Sequence, residues 1–415
     1  MPEQGVQVMK RKGLKAFVFI GILAICGMTA YLAMMPKPAE QPEEVKVETK
    51  ANPLTGMTAE EGFDEDALNR RIAAFVVENS PDSRPQWGMD DPEYSPDIIL
   101  QGEVEAGITR TLWMYADYNK LPEIIGPMRS ARPPYIKFSE LFDSIFIHWG
   151  RSSSKGNYIG ATTVFKDDKV DHIDQMTFND KVGLYGRDQT RSTAIEHRGI
   201  LHGDKVPAAL EQAEFRVEPK KKTKLRFSKA AWMTRVPNAE SIHVDYSAKT
   251  SWESTVWTYD PDDEKYHTAL FRNDLERDNL LILFDETEYI DKSDYMGEIG
   301  YTITYCNYNL SGGEGKLISK GNAKDITWKI NKKGKLILTD VAATKAAEER
   351  AAQAAASDSG SDTDNADSSD AKPVRINAHL YPGKTWIGWV SSNNGGGVRI
   401  DSETLGTSEQ IGESY

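Results

Sequence analysis

Arg132-Pro133-Pro134 is the tightest local constraint in the chain, closing the run Gly126-Pro127-Met128-Arg129-Ser130-Ala131-Arg132. Each proline fixes its own φ and pushes the residue before it out of the right-handed helical region. A proline pair can therefore open a helix but not continue one. Apolar residues at Tyr135, Ile136, Phe138, Leu141 and Phe142 follow at helical spacing, which predicts a helix beginning at the prolines. Ile145, Ile147 and Trp149 then alternate with Phe146 and His148, predicting a strand ended by Gly150. This order places Arg129 and Arg132 near the free N–H groups of a helix start, where an anion is favoured. The competing reading pairs both arginines with carboxylates.

The N-terminus bears on location. Lys10, Arg11, Lys12 and Lys15 precede an apolar run from Ala16 to Met35, closed by Pro36. As a helix this run spans a bilayer core, and the cation bias puts the N-terminus in the cytoplasm and the rest outside. The expectation is a single-pass anchor at 16–35 behind a basic tail at 1–15. A cleaved lipoprotein signal ending at Cys26 is the alternative, with Ile25 where a small residue belongs.

With 415 residues the chain has room for two or three domains. Its net charge of −13 argues against nucleic acid as a partner, since that binding needs many cations against phosphate. Only two cysteines occur, Cys26 and Cys306, so no structural disulfide is expected. Cys306, within an alternating run, reads as a buried thiol.

Residues 36–51 read as a Pro- and Glu-rich tether. The span 52–217 mixes helix and strand patterns, including the continuous apolar run Ala73-Ala74-Phe75-Val76-Val77, the mark of a buried strand. Beyond Glu218-Pro219-Lys220-Lys221-Lys222 come many short strand-like runs separated by turns, which predicts a β-rich sandwich or barrel over 218–341 with 372–392. Residues 342–371, an Ala/Glu/Lys stretch passing into Ser and Asp, predict a disordered acidic insertion, and 393–415 a flexible tail. The fold class is thus α+β: a mixed α/β N-terminal domain, then a β-rich C-terminal domain, after one transmembrane helix.

Several of these elements together resemble the YerB-like lipoprotein family, exported two-domain proteins whose biochemical function is not established. The likeness rests on Asn52-Pro53-Leu54-Thr55-Gly56, Val77-Glu78-Asn79-Ser80-Pro81 with Arg84-Pro85-Gln86, Ala106-Gly107-Ile108-Thr109-Arg110, the Gly126–Arg132 run and His148-Trp149-Gly150. Arg187-Asp188 with Arg191 and His197 is a weaker echo. In the second half it rests on Trp257-Thr258-Tyr259-Asp260-Pro261, on Gly321 ahead of Thr327-Trp328-Lys329, and on Pro382-Gly383-Lys384-Thr385-Trp386-Ile387. The resemblance implies an α/β domain, a β-rich domain and attachment to the outer face of the cell membrane. This chain departs from the family pattern at Ile25, at Ala106 where a second glycine is usual, and at Arg151 where a glycine is usual.

Arginines clustered in an acidic chain suggest a local anion-binding cleft. The candidate ligand-binding set is Arg110, Arg129, Ser130, Arg132, His148, Glu78, Asn79, Arg187 and Arg191, with His148 and His197 as candidate catalytic bases. An internal salt-bridge cluster of these arginines with Glu78, Glu103 and Glu105 is the competing arrangement. Ser152-Ser153-Ser154-Lys155 has an S-x-x-K spacing but no companion K-T-G, so it reads as a loop. No metal-ligand spacing and no cofactor motif is present, so neither is expected. Two functions follow. One is a membrane-anchored extracytoplasmic binding or assembly protein of the cell envelope, with an anionic envelope component or an envelope protein as partner. The other is an envelope hydrolase or transferase with a histidine base and arginine charge stabilisation. A third possibility makes the β-rich part a docking module.

Overall fold

A strand like Ala73–Val77, apolar at every position, is stable only where both of its faces are covered. The computed structural model, which describes residues 50–401 apart from 90–91, 221–224, 234–236, 251–253, 273, 295–297 and 359–373, puts it there. Strands β1 (Ala73–Glu78), β2 (Ile98–Glu103) and β3 (Thr109–Tyr115) are buried along their whole length. Next come β4 (Ile124–Ile125), helix α1 (Pro133–Glu140), β5 (Ile145–His148), helix α2 (Ala161–Asp168), β6 (His172–Asp174), β7 (Tyr185–Arg187), β8 (Gly199–His202) and helix α3 (Val206–Gln212). The second half holds β9 (Ser241–Asp245), β10 (Thr255–Asp260), β11 (Lys265–Thr268), β12 (Leu275–Arg277), β13 (Asn279–Asp285), β14 (Thr287–Lys292) and β15 (Ile303–Tyr308). It continues with β16 (Gly313–Ser319), β17 (Asn322–Ile330), β18 (Leu336–Asp340), helix α4 (Val341–Asp358), β19 (Thr385–Ser391) and β20 (Gly397–Asp401).

The expected helix and strand around the proline pair both form, as α1 and β5. Ten strands make one sheet in the order β18-β17-β16-β13-β19-β2-β3-β1-β5-β6. Strand β19 runs parallel to both β13 and β2 and so joins the two halves of the chain. Separate ladders are formed by β12-β11-β10-β9-β20, by β4-β8-β7 and by the pair β14-β15.

Alternation along the central strands sorts their side chains onto two cores. Val76, Leu100 and Leu112 join Tyr135, Ile136 and Phe138 of α1. Phe75, Val77 and Trp113 join Leu210 of α3 and Ile242 and Trp257 of the five-stranded sheet. The two tryptophans of β19 serve one core each: Trp389 stacks on Tyr308 at 4.1 Å, and Trp386 meets Trp257 at 5.4 Å. Cys306 is buried, as its alternating run suggests.

Four expectations change, the first being the flexible tail from 393, whose residues Gly397–Asp401 pair with β9 as β20. The protein is mixed α/β and rich in strand, but the halves expected to part near residue 217 share the ten-stranded sheet. In place of a sandwich or barrel, β13 and β16–β18 extend that sheet while β9–β12 pack over one of its faces. The span expected to be disordered from 342 begins with α4: alanine, lysine and glutamate are strong helix formers, and Asp340 caps the start by accepting the Ala343 N–H at 2.9 Å.

The basic tail, the expected anchor at 16–35, nearly all of the tether and residues 402–415 lie outside the described residues. Among the described residues no helix is long and apolar enough to cross a membrane. Because β19 belongs to both halves, Trp389→Ala should destabilise the protein by about 3–5 kcal/mol. Urea denaturation followed by circular dichroism should show this as a single transition moved to lower urea.

Candidate functional site

The Gly126–Arg132 run is held by main-chain bonds from three directions. Pro127 O accepts the Glu78 N–H at 2.8 Å, the Met128 N–H donates to Gly199 O at 2.8 Å, and the Arg129 N–H donates to Val76 O at 2.9 Å. Trp149 and Ala131 complete the weave, donating to Arg129 O at 3.0 Å and Gly150 O at 2.9 Å. With the backbone fixed in this way, successive side chains are sent to different environments.

Arg110 and Arg132 go inward, to one buried carboxylate. Arg132 Nε donates to Glu105 Oε2 at 2.7 Å and its Nη2 to Oε1, which also takes Arg110 Nη2 at 3.0 Å. The remaining donors are satisfied by main-chain oxygens, Arg110 by Ser130 O at 2.8 Å and Arg132 by Ala131 O at 2.9 Å. Burial alone would raise the Glu105 carboxyl, but the two guanidinium groups outweigh it and hold it at about 2. These two arginines therefore do not face an open pocket: they form the internal cluster that was the competing reading, with Glu105 at its centre.

Arg129 is divided between structure and surface. Its Nη2 donates to Glu78 Oε1 at 2.5 Å and lies 3.4 Å from His197 Nδ1, which is 2.9 Å from Glu78 Oε2. His148 is no base for surface chemistry. Its side chain is wholly buried and stacked on Phe165, with Nδ1 at 2.7 Å from Gly150 O and Nε2 at 3.0 Å from His172 Nδ1. Burial pushes it down to about 3 against the pull of Asp174, and burial with the nearby Arg151 takes His172 to about 4.

Two more candidates are structural. Asn79 Nδ2 donates to Thr109 Oγ1 at 2.8 Å and its Oδ1 accepts from Gln86 at 3.1 Å. Arg191 lies over the Trp87 ring at 3.4 Å and donates to Ser83 O at 2.7 Å and to Pro85 O. The S-x-x-K serine bonds to Tyr158 at 2.9 Å while Lys155 pairs with Asp294 at 2.7 Å, so the two do not act together. Asp260, Asp263 and His267 bring ligand-type atoms within 4.8 Å at the surface, but His267 is already held between Asp263 and Asp274.

An open cleft of about 530 Å³ does lie beside this framework. Arg129 and Ser130 line it from the woven run, Trp149 and Arg151 from the end of β5, and Arg187 from the end of β7. Arg151 donates to Asp174 Oδ2 at 2.8 Å, and Asp174 also accepts the Gly150 N–H at 2.7 Å. Arg187 lies over the Trp149 ring at 4.6 Å and donates to Ile195 O, and among the described residues it pairs with no carboxylate. Of the predicted set, the cleft gathers Arg129, Ser130 and Arg187, with Glu78 and His197 behind Arg129. Sequence reasoning missed Trp149, Arg151 and Asp174 as site residues. The signal for the first two was their place directly after the β5 pattern.

The turn before Arg110 explains one departure from the family pattern. Ala106 sits at φ 53° and Gly107 at φ 73°, and the left-handed region is one that glycine enters without strain.

Fold and cleft define a mixed α/β protein on one long sheet, with a surface cleft built from arginines and a tryptophan. Residues 54–216 match the family described as "Protein of unknown function (DUF3048) N-terminal domain". The chain is 26% identical over 317 residues to "Putative lipoprotein YerB" of Bacillus subtilis (strain 168), covering 74% of this chain and 86% of that protein. A crystal structure of YerB protein from Bacillus subtilis matches with a TM-score of 0.59 at 22% identity, over 84% of this chain and 99% of that one, and shares its fold. Residues 54–216 thus resemble that family's N-terminal domain, and the chain is similar to YerB over most of its length.

Two outcomes follow from the buried charges. Glu105→Gln leaves two buried guanidinium groups without a countercharge, and should lower unfolding stability by about 3–5 kcal/mol. Acid should act earlier, through the histidines. His148 and His172 have folded values below the ordinary 6.5, so their neutral forms favour the fold above that pH, and stability falls as pH drops below it. Glu105, also depressed, adds a second loss below its ordinary 4.5. Melting temperature measured from neutral to acid pH should fall first near pH 6, and His148→Gln should flatten that first limb.

Proposed function

We propose that this chain is a membrane-attached, extracytoplasmic protein of the cell envelope whose cleft receives an anionic group of an envelope component. The observation that carries the reading is Arg187, a guanidinium backed by Trp149, facing a cleft that also holds Arg129 and Arg151, and engaged with no acid among the described residues. A cation oriented by an aromatic face and a carbonyl keeps its remaining donors for a ligand. Support for the location comes from the basic and apolar N-terminus and from the name of the Bacillus subtilis relative, a lipoprotein. The apolar segment at 16–35 would supply the attachment.

A second reading, an envelope hydrolase or transferase, rests on His197, whose Nδ1 meets Glu78 at 2.9 Å beside the cleft. A carboxylate that orients an imidazole is the arrangement a general base uses. Glu196 lines the cleft next to it, so a substrate held by Arg187 would come near this pair.

Calorimetric titration of the full chain in detergent micelles with inorganic phosphate and pyrophosphate tests the first reading. Binding should weaken about 10- to 100-fold in Arg187→Ala, the loss of one charged hydrogen bond. No binding by the unaltered chain, or equal binding by Arg187→Ala and Arg151→Ala, would overturn it. Hydrolysis of a chromogenic phosphate or acyl ester that disappears in His197→Ala but persists in Arg187→Lys would favour the enzyme.

A further inference from the structure

A second cavity, about 390 Å³, lies at the opposite end of β3 from Arg110, between the 52–64 segment, the 92–97 segment and Lys384. Its chemistry is the reverse of the first. Glu61, Asp64, Glu93, Asp97 and Asp117 line it, against two lysines. Both lysines spend hydrogen bonds on carbonyls, although Lys384 also lies near enough to Asp97 to favour its charged form. Lys120 donates to Gly62 O at 3.2 Å, and Lys384 donates to the carbonyls of Pro92, Glu93 at 3.2 Å and Ser95 at 2.9 Å. Holding the 92–95 carbonyls is thus the role of the Lys384 ammonium, and the sequence motif around it is structural here.

Partners outside the cavity account for some of the acid. Glu61 pairs with Lys229 at 2.7 Å, and Arg70 lies 3.7 Å from Asp64 and 3.0 Å from Asp117 Oδ1. Among the described residues, two lining groups keep an oxygen without a donor, beside a third, Asp97, that has no direct ion pair. Asp97 accepts the Ala116 N–H at 2.7 Å, hydrogen-bonds to Asn52 and lies near the Lys384 and Arg277 charges, but forms no direct ion pair among the described residues. Tyr115 is 3% exposed and Asp117 8% exposed, and among the described residues neither the Tyr115 hydroxyl nor Asp117 Oδ2 has a hydrogen-bond partner. Buried oxygens without donors are costly, and ones that line a cavity mark the place of a missing donor. Burial raises the Asp97 carboxyl above its ordinary range, a shift that a bound cation would reverse. Phe63, Tyr94 and the Tyr115 ring add aromatic wall, the surroundings an organic cation favours over a bare metal ion.

We propose that this cavity binds a small organic cation with a primary ammonium group, whose N–H groups donate to Asp97, Tyr115 Oη and Asp117 Oδ2 while its carbon body rests on Phe63 and Tyr94. The site is separate from the arginine cleft and does not depend on that cleft's ligand. A quaternary ammonium keeps the charge but has no N–H to give, so it separates donation from charge and aromatic contact.

Calorimetry on the full chain in detergent micelles near neutral pH, with benzylamine and benzyltrimethylammonium as probes, tests this. Benzylamine should bind, and about tenfold or more tighter than its quaternary analogue. Asp97→Asn should weaken benzylamine binding about tenfold or more, with the melting temperature recorded to show that the variant folds. Tyr115→Phe removes only a hydroxyl that the fold does not use, so it should weaken binding while leaving stability unchanged. The proposal is overturned if benzylamine fails to bind at millimolar concentration, if the quaternary probe binds as tightly, or if both variants bind like the unaltered chain.

Discussion

One buried carboxylate, Glu105, carries the charge balance of the protein's centre. Two arginines distant in sequence, Arg110 and Arg132, meet on it with almost no solvent exposure. Neither could be buried alone, because an isolated guanidinium loses too much hydration. Together with their main-chain acceptors they are satisfied, and the turn that presents Glu105 is fixed in position. The same turn bonds to the second half of the chain: the Ala106 N–H donates to Thr304 O at 3.1 Å, and Arg132 lies over the Tyr305 ring at 5.3 Å. Ion pair, woven run and half-to-half contact therefore stand or fall as a unit.

That arrangement separates the arginines by role. Arg110 and Arg132, aimed into the interior, are matched by Glu105 and carry no ligand chemistry. Arg187, at the end of a short edge strand, has an aromatic ring and a carbonyl for company and open cleft in front of it. Arg129 and Arg151 hold intermediate positions, each with one acid partner and some solvent. A cluster that looks uniform in sequence is thus graded from fully compensated to available, and only the available end can bind. The two cavities extend the contrast, since the arginine cleft faces a ligand with positive groups and the cavity by Lys384 faces one with unmatched oxygens.

Much of the fold was legible in particular residues. The proline pair announced α1, the unbroken apolar run announced a doubly covered strand, and the alternation to Gly150 announced β5. Local sterics and side-chain period dictate such features, so they can be read without partners. The candidate site was legible only in part. Arg129, Ser130 and Arg187 lie in the cleft, but Arg110, Arg132 and His148 turn inward, and Arg151 enters from a position noted only as a departure from the family pattern. The helix at Val341–Asp358 was read by its lack of core residues, whereas its alanines and the Asp340 cap were the signals that mattered.

By itself the sequence determined the local elements, the family resemblance and the presence of arginines in a chain otherwise acidic, because these depend on residue type and near neighbours. Tertiary structure alone decided that both halves share one sheet, through β19 lying parallel between β2 and β13. It alone decided which charges are compensated. Parallel pairing and ion pairing join residues far apart in the chain, Arg132 to Glu105 or Thr385 to Ile98, and no local pattern encodes which distant partner a strand or a guanidinium will meet.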